Sequence, residues 1–251
     1  MYTKQSLMDY LAALDIDPIG TLMVHLSYKA IGEVNGRGDT VLDALCEYMQ
    51  NGLLVLPSHT WANVNVENPI MDVLYTPSCV GVLTELFRKR AGVLRSLHPT
   101  HSVAALGTDA AEFIVGEEKI QTPCGKGGAY YKLWELNAQI LLIGVNFMRN
   151  TFIHGIEEWD KANASISPNL TDLYVVNYDG NRIHTPQYRH SRVAAPHSSS
   201  TFTKLEPQAL QEGILNTGRF GDATARVMRA KPLREMTAKI LYNDPRYLLR
   251  Y

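Results

Sequence analysis

The stretch TLMVHLS, residues 21–27, decides the fold class of this 251-residue chain. It is a continuous apolar run without the alternation of a half-exposed strand, which is typical of a strand buried on both faces of a parallel sheet. GLLVLPS at 52–58 and QILLIGV at 139–145 have the same character. Because both faces of such strands must be covered, the three runs predict a sheet with helices on either side.

Helical segments alternate with these strands, as the spacing of Val41, Leu42 and Leu45 shows for one of them. Further along, LYVVNYDGNRIHTPQYR at 173–189 has a turn signal at Asp179-Gly180-Asn181 between two β-prone arms, which predicts a hairpin. The last third of the chain is predicted to be mostly helical. We therefore expect an α/β fold: a single three-layer α/β/α domain over residues 1–251, with a mostly parallel central sheet, an antiparallel hairpin and a helical C-terminal segment.

The composition excludes several classes of function. The chain is 45% hydrophobic and 20% charged with a net charge of −1, and its basic residues are dispersed, so no nucleic-acid or membrane partner is expected. The N-terminal MYTKQSLMDYLAALDI has the pattern of an amphipathic helix rather than a signal peptide. Cys46, Cys79 and Cys124 form neither a disulfide framework nor a CxxC pair, which favours a cytoplasmic location.

Two histidines stand at the expected carboxyl edge of the sheet, where open α/β sheets gather ligand-binding groups. His25 ends the first buried strand, and His154 follows the strand at 139–145. Glu157 is three residues from His154, so on a helix the two share a face. A carboxylate beside an imidazole fixes its tautomer and raises its basicity, which makes His154 a candidate general base. The alternative is a solvated helix-surface pair.

Other chemistries have weaker sequence support. His98 and His101, spaced HxxH across a proline, could ligate zinc together with His154, but an extended loop does not hold two rings on one face. The chain has no GxSxG elbow for a nucleophilic serine. GRGD lacks the Lys-Ser/Thr of a Walker loop, and GKGG at 125–128 is too short for a dinucleotide fingerprint.

Five stretches stand out in a fixed order: MVHLSYKAIGEVNGRGDTVLDAL, GLLVLPSHTW, TPSCVGVLTELFRKRAGVLRSLHPTHSVAALG, TPCGKGGAYYKLWELNAQILLIGV and NTFIHGIEE. Together with the closing segment FTKLEPQALQEGILNTGRFGDATARVMRAKPL, they resemble the aminoglycoside 3-N-acetyltransferase family. The resemblance runs from about residue 5 to about residue 235. Its most specific pieces are RSLHPTHSVAALG and TFIHGIEE.

The resemblance implies acetyl transfer from acetyl-CoA to a substrate amine, with His154 as general base, Glu157 beside it, and no metal. Direct transfer in a ternary complex is expected because no residue stands out as a covalent carrier, and a homodimer is expected by analogy. The implied CoA contacts are His25, Leu26, Ser27, Tyr28, Lys29, Arg95, Ser96 and Val103. The residues expected on the substrate side are His59, His98, Thr151 and Arg182, whereas His101 is expected to be a packing residue. Candidate donors to the oxyanion are backbone N–H groups and the hydroxyls of Ser27 and Thr151.

The segment after the hairpin departs from what an aminoglycoside needs. It contains Arg182, Arg189 and Arg192, and no Asp or Glu between residues 180 and 205. A basic segment suits an anionic acceptor, such as an amino sugar on a nucleotide carrier or a phosphonate, better than a polyamine. We therefore expect an N-acetyltransferase for the primary amine of an amino sugar or related small metabolite. The alternatives are a true aminoglycoside 3-N-acetyltransferase of antibiotic resistance and a non-catalytic binding protein that keeps the fold.

Overall fold

A computed structural model of the chain describes residues 1–160, 166–190 and 198–249. Its strands are β1 (Thr21–Leu26), β2 (Leu53–Pro57), β3 (Ile70–Asp72), β4 (Leu94–Arg95), β5 (Val103–Gly107), β6 (Gln139–Ile143), β7 (Ile166–Thr171), β8 (Tyr174–Val176), β9 (Arg182–His184), β10 (Gln187–His190), β11 (Asn216–Phe220) and β12 (Ala223–Arg229). Its α-helices are α1 (Lys4–Ala13), α2 (Arg37–Tyr48), α3 (Val82–Phe87), α4 (Ala110–Ile114), α5 (Ala129–Glu135), α6 (Phe152–Trp159), α7 (Glu206–Gln211) and α8 (Ala230–Asn243). Short 3₁₀ helices lie at Tyr28–Ala30, Glu117–Lys119, Phe147–Arg149, Ser198–Leu205 and Tyr247–Leu249.

The central sheet has seven strands within the described ranges, in the order β11-β12-β6-β1-β2-β5-β4. The three apolar runs form its centre, where β1 pairs in parallel with both β2 and β6. The other pairings are antiparallel. The α/β class is confirmed, but the parallel part is confined to these three strands, so the sheet is mixed rather than mostly parallel.

Strands β11 and β12 correct the expectation of a mostly helical last third. They are joined by the two residues Gly221-Asp222, and so short a connection can only link antiparallel neighbours. Ala223, Ala225 and Val227 of β12 are buried at a period of two. That alternation is visible in the sequence, but the helical patterns of α7 and α8 flank the pair and dominate the prediction.

Helices cover both faces of the sheet, as predicted. Leu22 and Val24 of β1 pack in one hydrophobic cluster with residues of α1 and α2. Met23, between them, belongs to a second cluster with residues of α5, α6 and α8. Successive side chains of a strand point to opposite faces, so β1 is buried on both sides between two helical layers.

Two small sheets lie beside the main one. The predicted hairpin is β8–β9, with Val176 opposite Arg182 and Tyr174 opposite His184. Strand β3 adds to β8 in parallel, and β7 pairs with β10 in an antiparallel pair. The three cysteines are free. No helix among the described residues is both long and apolar enough to cross a bilayer.

Gly144, directly after β6, tests how tightly the carboxyl edge is packed. Its φ is 64°, and a Cβ there would overlap Ala30 Cβ. Gly180 in the hairpin turn has a similar φ of 79° but no atom within 4 Å of such a Cβ.

We expect Gly180→Ala to lower the free energy of unfolding by about 1 kcal/mol through backbone strain alone. Gly144→Ala should lower it by roughly 1–3 kcal/mol more, because the added Cβ overlaps its neighbour.

Urea unfolding of both variants measures this difference. Equal losses of unfolding free energy in the two variants would show that the sheet edge beside Gly144 accommodates a Cβ without an energetic penalty.

Candidate active site

A cleft of about 820 Å³ opens at the carboxyl ends of β1 and β6. Leu26 and Ile143 are register partners at these ends, so the segments that leave the two strands start side by side. One continues into the 3₁₀ helix Tyr28–Ala30, and the other passes through Phe147–Arg149 into α6. Ligand sites of open α/β sheets lie at this edge.

Most of the predicted site residues meet in this cleft. Predicted CoA contacts, predicted substrate-side residues and the predicted general base all line it. These residues are His25, Leu26, Ser27, Tyr28, Lys29, His59, Thr151 and His154. Residues that are far apart in sequence therefore converge as expected.

Arg95 is not placed to contact CoA. Its side chain is 2% exposed, and its three nitrogen atoms all donate to protein oxygens. The acceptors include the backbone carbonyls of Ser58, Val73 and Thr76. A guanidinium is buried only when its donors are satisfied in this way, so the predicted phosphate contact is wrong and Arg95 holds three loops together.

Ser96 and Val103 do not reach the cleft either. Both are fully buried. The Ser96 hydroxyl accepts from the N–H of Val103 at 3.0 Å and donates to Glu117 at 3.3 Å. The motif that carries the family resemblance thus stabilises the turn before β5, and its role as a direct CoA contact is corrected.

His98 is a structural residue rather than a substrate contact. Its Nδ1 accepts from the backbone N–H groups of Thr100 and His101, at 3.2 and 3.0 Å. Nε2 therefore carries the hydrogen and donates to the carbonyl of Thr122 at 3.1 Å. The imidazole, 1% exposed, pins the turn that presents His101. His101, which was expected to be a packing residue, lines the cleft.

Arg182 also lies away from the cleft. It is an exposed residue of β9 whose guanidinium stacks 3.7 Å from the ring centroid of Tyr174. The hairpin itself is attached to the body by Tyr178, whose hydroxyl accepts from the N–H of Arg95 at 2.6 Å. Of the other predicted basic residues, Arg189 lines the cleft. Arg192 lies outside the described residues.

The pair His154–Glu157 forms as predicted. Both residues are on α6, and His154 Nδ1 lies 3.1 Å from Glu157 Oε2. The imidazole is 13% exposed toward the cleft, whereas the carboxyl group is 1% exposed. Since Nδ1 faces Glu157, Nε2 is the ring nitrogen left for a substrate. His190 and Phe202 pack against the ring, with centroid distances of 4.2 and 4.7 Å.

Burial suppresses charge on both members of the pair. It lowers the pKa of His154 to about 4 and raises the pKa of Glu157 to about 8, because neither charged form is well solvated there. The imidazole is therefore unprotonated near pH 7, as a proton acceptor must be.

Two imidazoles of the cleft, those of His101 and His190, were not predicted as site residues. Ring centroids of His59 and His101 lie 4.7 Å apart, and those of His101 and His190 lie 5.4 Å apart. His59 Nε2 is 2.7 Å from the hydroxyl of Tyr130. No spacing rule connects these positions, since they come from three separate loops and strands. Despite this density of histidines, the described residues contain no group of three His, Cys, Asp or Glu side chains arranged to hold a metal ion.

Arg149 was also missed, although its position follows from the topology. It ends the 3₁₀ helix after β6 and lines the same cleft as Lys29, which follows β1. Both side chains are exposed cations at the edge of the sheet. Exposed cations of this kind can bind phosphate groups.

A family model described as aminoglycoside 3-N-acetyltransferase matches residues 23–242. The chain belongs to this family. Members of the family are acyltransferases with acetyl-CoA as co-substrate.

Among curated proteins, aminoglycoside N(3)-acetyltransferase IV of Salmonella sp. is 26% identical over 97% of this chain and 89% of its own length. The SPbeta prophage-derived aminoglycoside N(3')-acetyltransferase-like protein YokD of Bacillus subtilis is 31% identical over 61% of this chain. That alignment spans 63% of the YokD protein.

Solved structures share the fold of this chain. The apoenzyme of aminoglycoside acetyltransferase AAC(3)-IVa has a TM-score of 0.84 at 24% identity, covering 100% of this chain and 92% of that one. A histidine-to-alanine variant of that enzyme in complex with a gentamicin has a TM-score of 0.86 at 23% identity, with the same coverage. AAC-IIIb in its binary complex with CoASH has a TM-score of 0.81 at 20% identity, covering 96% and 97%.

The buried ionisable groups of this family member predict how its stability depends on pH. Burial is the first cause that lowers the pKa of five imidazoles, namely those of His25, His59, His98, His101 and His154. Burial also raises the pKa of Glu117 to about 7 and that of Glu157 and Glu158 to about 8.

Below a pH of about 6.5, the unfolded chain binds protons on these histidines that the native state does not, so native stability falls as the pH falls. Above that pH the unfolded histidines are neutral. The three native carboxyl groups still hold protons that the unfolded chain has lost, so stability falls as the pH rises toward about 8. We expect the free energy of unfolding to be greatest near pH 6.5 and about 1–3 kcal/mol lower at pH 5 and at pH 8.

Urea titrations at about pH 5, 6.5 and 8 measure the free energy of unfolding. A stability that rises steadily from pH 5 to pH 8 would show that these groups are hydrated in the native state.

Proposed function

We propose that this chain transfers the acetyl group of acetyl-CoA directly to an amine of an amino sugar, with His154 as the general base. The observation that carries the proposal is the His154–Glu157 pair, whose imidazole is accessible from a cleft at the carboxyl edge of the sheet. An imidazole that is neutral near pH 7, oriented by a carboxyl group and accessible from a cleft has the properties of a general base.

The reaction requires the acceptor nitrogen to lose two protons. An ammonium group with a pKa of about 8–10 plus acetyl-CoA gives an amide, CoASH and one proton. His154 Nε2 takes a proton from the nitrogen, which then forms a bond to the thioester carbonyl carbon. Collapse of the tetrahedral intermediate breaks the carbon–sulfur bond. One of the two protons ends on the sulfur atom, and the other passes through His154 to solvent.

Other residues of the cleft support the same reaction. Lys29 and Arg149 are exposed cations that follow neighbouring strand ends and suit the phosphates of CoA. The Ser27 and Thr151 hydroxyls line the cleft and are candidate donors to the oxyanion. Holding donor and acceptor together removes much of the entropic part of the barrier.

An aminoglycoside is the acceptor that the relatives favour over an unspecified amino-sugar metabolite. Both curated relatives described above bear that substrate in their names. Retention of the paired imidazole and carboxyl group in an open cleft speaks against a binding protein without activity. A homodimer and a cytoplasmic location, expected from analogy and from the cysteine content, stay predictions.

Release of CoA over a panel of amines tests the proposal. The panel contains gentamicin, a second aminoglycoside and simple amino sugars, and calorimetry measures acetyl-CoA binding in parallel. Absence of CoA release with every amine, together with absence of acetyl-CoA binding, would refute acetyl transfer. A zinc-dependent hydrolase would instead contain stoichiometric zinc by elemental analysis and lose activity with a chelator.

His154→Ala should lower kcat by about 10²–10⁴-fold, because the proton acceptor is lost, and should leave acetyl-CoA affinity nearly unchanged. Glu157→Gln keeps a hydrogen-bond acceptor for Nδ1 and should cost less. His184→Ala, at an exposed histidine of the hairpin, is the matched control.

The measurements are steady-state kinetics and the acetyl-CoA dissociation constant of each variant. If His154→Ala weakens acetyl-CoA binding as much as it slows turnover, the residue is structural rather than catalytic.

A further inference from the structure

The charged residues of the cleft all have the same sign. Among the described residues that line it, Lys29, Arg149 and Arg189 are cationic, and none is an aspartate or glutamate. The undescribed segments 161–165 and 191–197 contain no acidic residue in the sequence. Glu157 does not line the cleft and is buried behind His154. A polycationic acceptor would therefore find no carboxylate opposite its ammonium groups.

Two of the three cations are assigned to the phosphates of the acetyl donor, acetyl-CoA. Lys29 and Arg149 follow β1 and β6 and are the candidate CoA phosphate contacts. Arg189 comes from a different element, strand β10, next to His190. The His190 ring is 4.2 Å from that of His154, so this strand borders the position where the acceptor nitrogen must lie.

An irregularity in β10 turns Arg189 toward the cleft. Consecutive side chains of a regular strand point to opposite faces, yet Arg189 and His190 both line the cleft. The register of β10 with β7 shifts between Tyr188 and His190. Such a bulge re-aims a side chain and is frequent beside active sites.

The Arg189 side chain is held in place rather than extended into solvent. One terminal nitrogen donates to the carbonyl of Trp61 at 2.8 Å, and Trp61 itself lines the cleft. The residue is half-buried. The imidazoles of His59, His101 and His154, which line the same cleft, are kept neutral because burial lowers their pKa values.

We infer that Arg189 selects an acceptor that carries an oxyanion, a phosphate or a carboxylate, on the same sugar as the reacting amine. A guanidinium pairs with either group in a bidentate geometry. The same cation repels a polyamine that approaches His154. This inference rests on the proposed acetyl transfer and narrows its acceptors to amino sugars of low or negative net charge.

Four acceptors separate the alternatives: glucosamine 6-phosphate, 2-amino-2-deoxyglucuronate, glucosamine and gentamicin. We expect at least one of the two anionic sugars to exceed both other acceptors by tenfold or more in kcat/KM. In Arg189→Gln that preference over glucosamine should fall at least tenfold, while the KM for acetyl-CoA changes less than twofold. Arg182→Gln, which removes an exposed arginine on the hairpin, is the matched control and should leave the preference unchanged.

Calorimetric binding of the four acceptors to the CoA-bound protein provides a readout independent of turnover, and the Tm of each variant checks its folding. Tighter binding of an anionic sugar that depends on Arg189 supports the inference. A preference for gentamicin, equal binding of all four, binding of none, or a preference unchanged by Arg189→Gln overturns it. Turnover of gentamicin would still uphold acetyl transfer, so the two proposals fail by different results.

Discussion

The parallel alignment of β6, β1 and β2 is the constraint on which the rest of the molecule depends. These three strands are predominantly apolar and buried on both faces, so they occupy the middle of the sheet and require helices above and below it. Parallel neighbours end at the same edge. Leu26 and Ile143 are opposite each other there, and the chain segments that leave them carry Lys29, Arg149 and, one element further, His154. A cleft with these residues follows from the direction of the strands.

The neutrality of the buried imidazoles and carboxyl groups is the second organising feature. A charge beside His154 or Glu157 would be poorly solvated, so burial keeps the pair uncharged until a substrate brings a proton to it. Buried histidines elsewhere serve the fold. His98 accepts two backbone N–H groups and thereby fixes a turn, while the adjacent His101 is presented to the cleft. One short motif thus combines a structural imidazole with one that lines the site.

The sequence predicted what depends on local pattern. Continuous apolar runs identified β1, β2 and β6, the Asp179-Gly180-Asn181 signal identified a hairpin, and spacing on one helix paired His154 with Glu157. It failed where the outcome depends on tertiary contacts. Arg95 resembles a phosphate ligand because its sequence does not show that three backbone carbonyls surround its guanidinium. Arg189 and Arg182 look equivalent in the sequence, but they lie in different small sheets: Arg182 of β9 stacks on Tyr174, whereas Arg189 lies at the irregularity of β10 and lines the cleft.

The position of β12 in the sheet has a consequence for biosynthesis. This strand covers β6, whose own partner β1 lies more than a hundred residues earlier in the sequence, through pairs such as Ala225 with Ile143. During translation, β6 leaves the ribosome well before residues 223–229 are made. Until then it is an apolar edge strand with unpaired backbone N–H and C=O groups, the kind of surface that recruits other chains. The nascent protein therefore exposes an aggregation-prone strand edge during that interval, which a chaperone could cover.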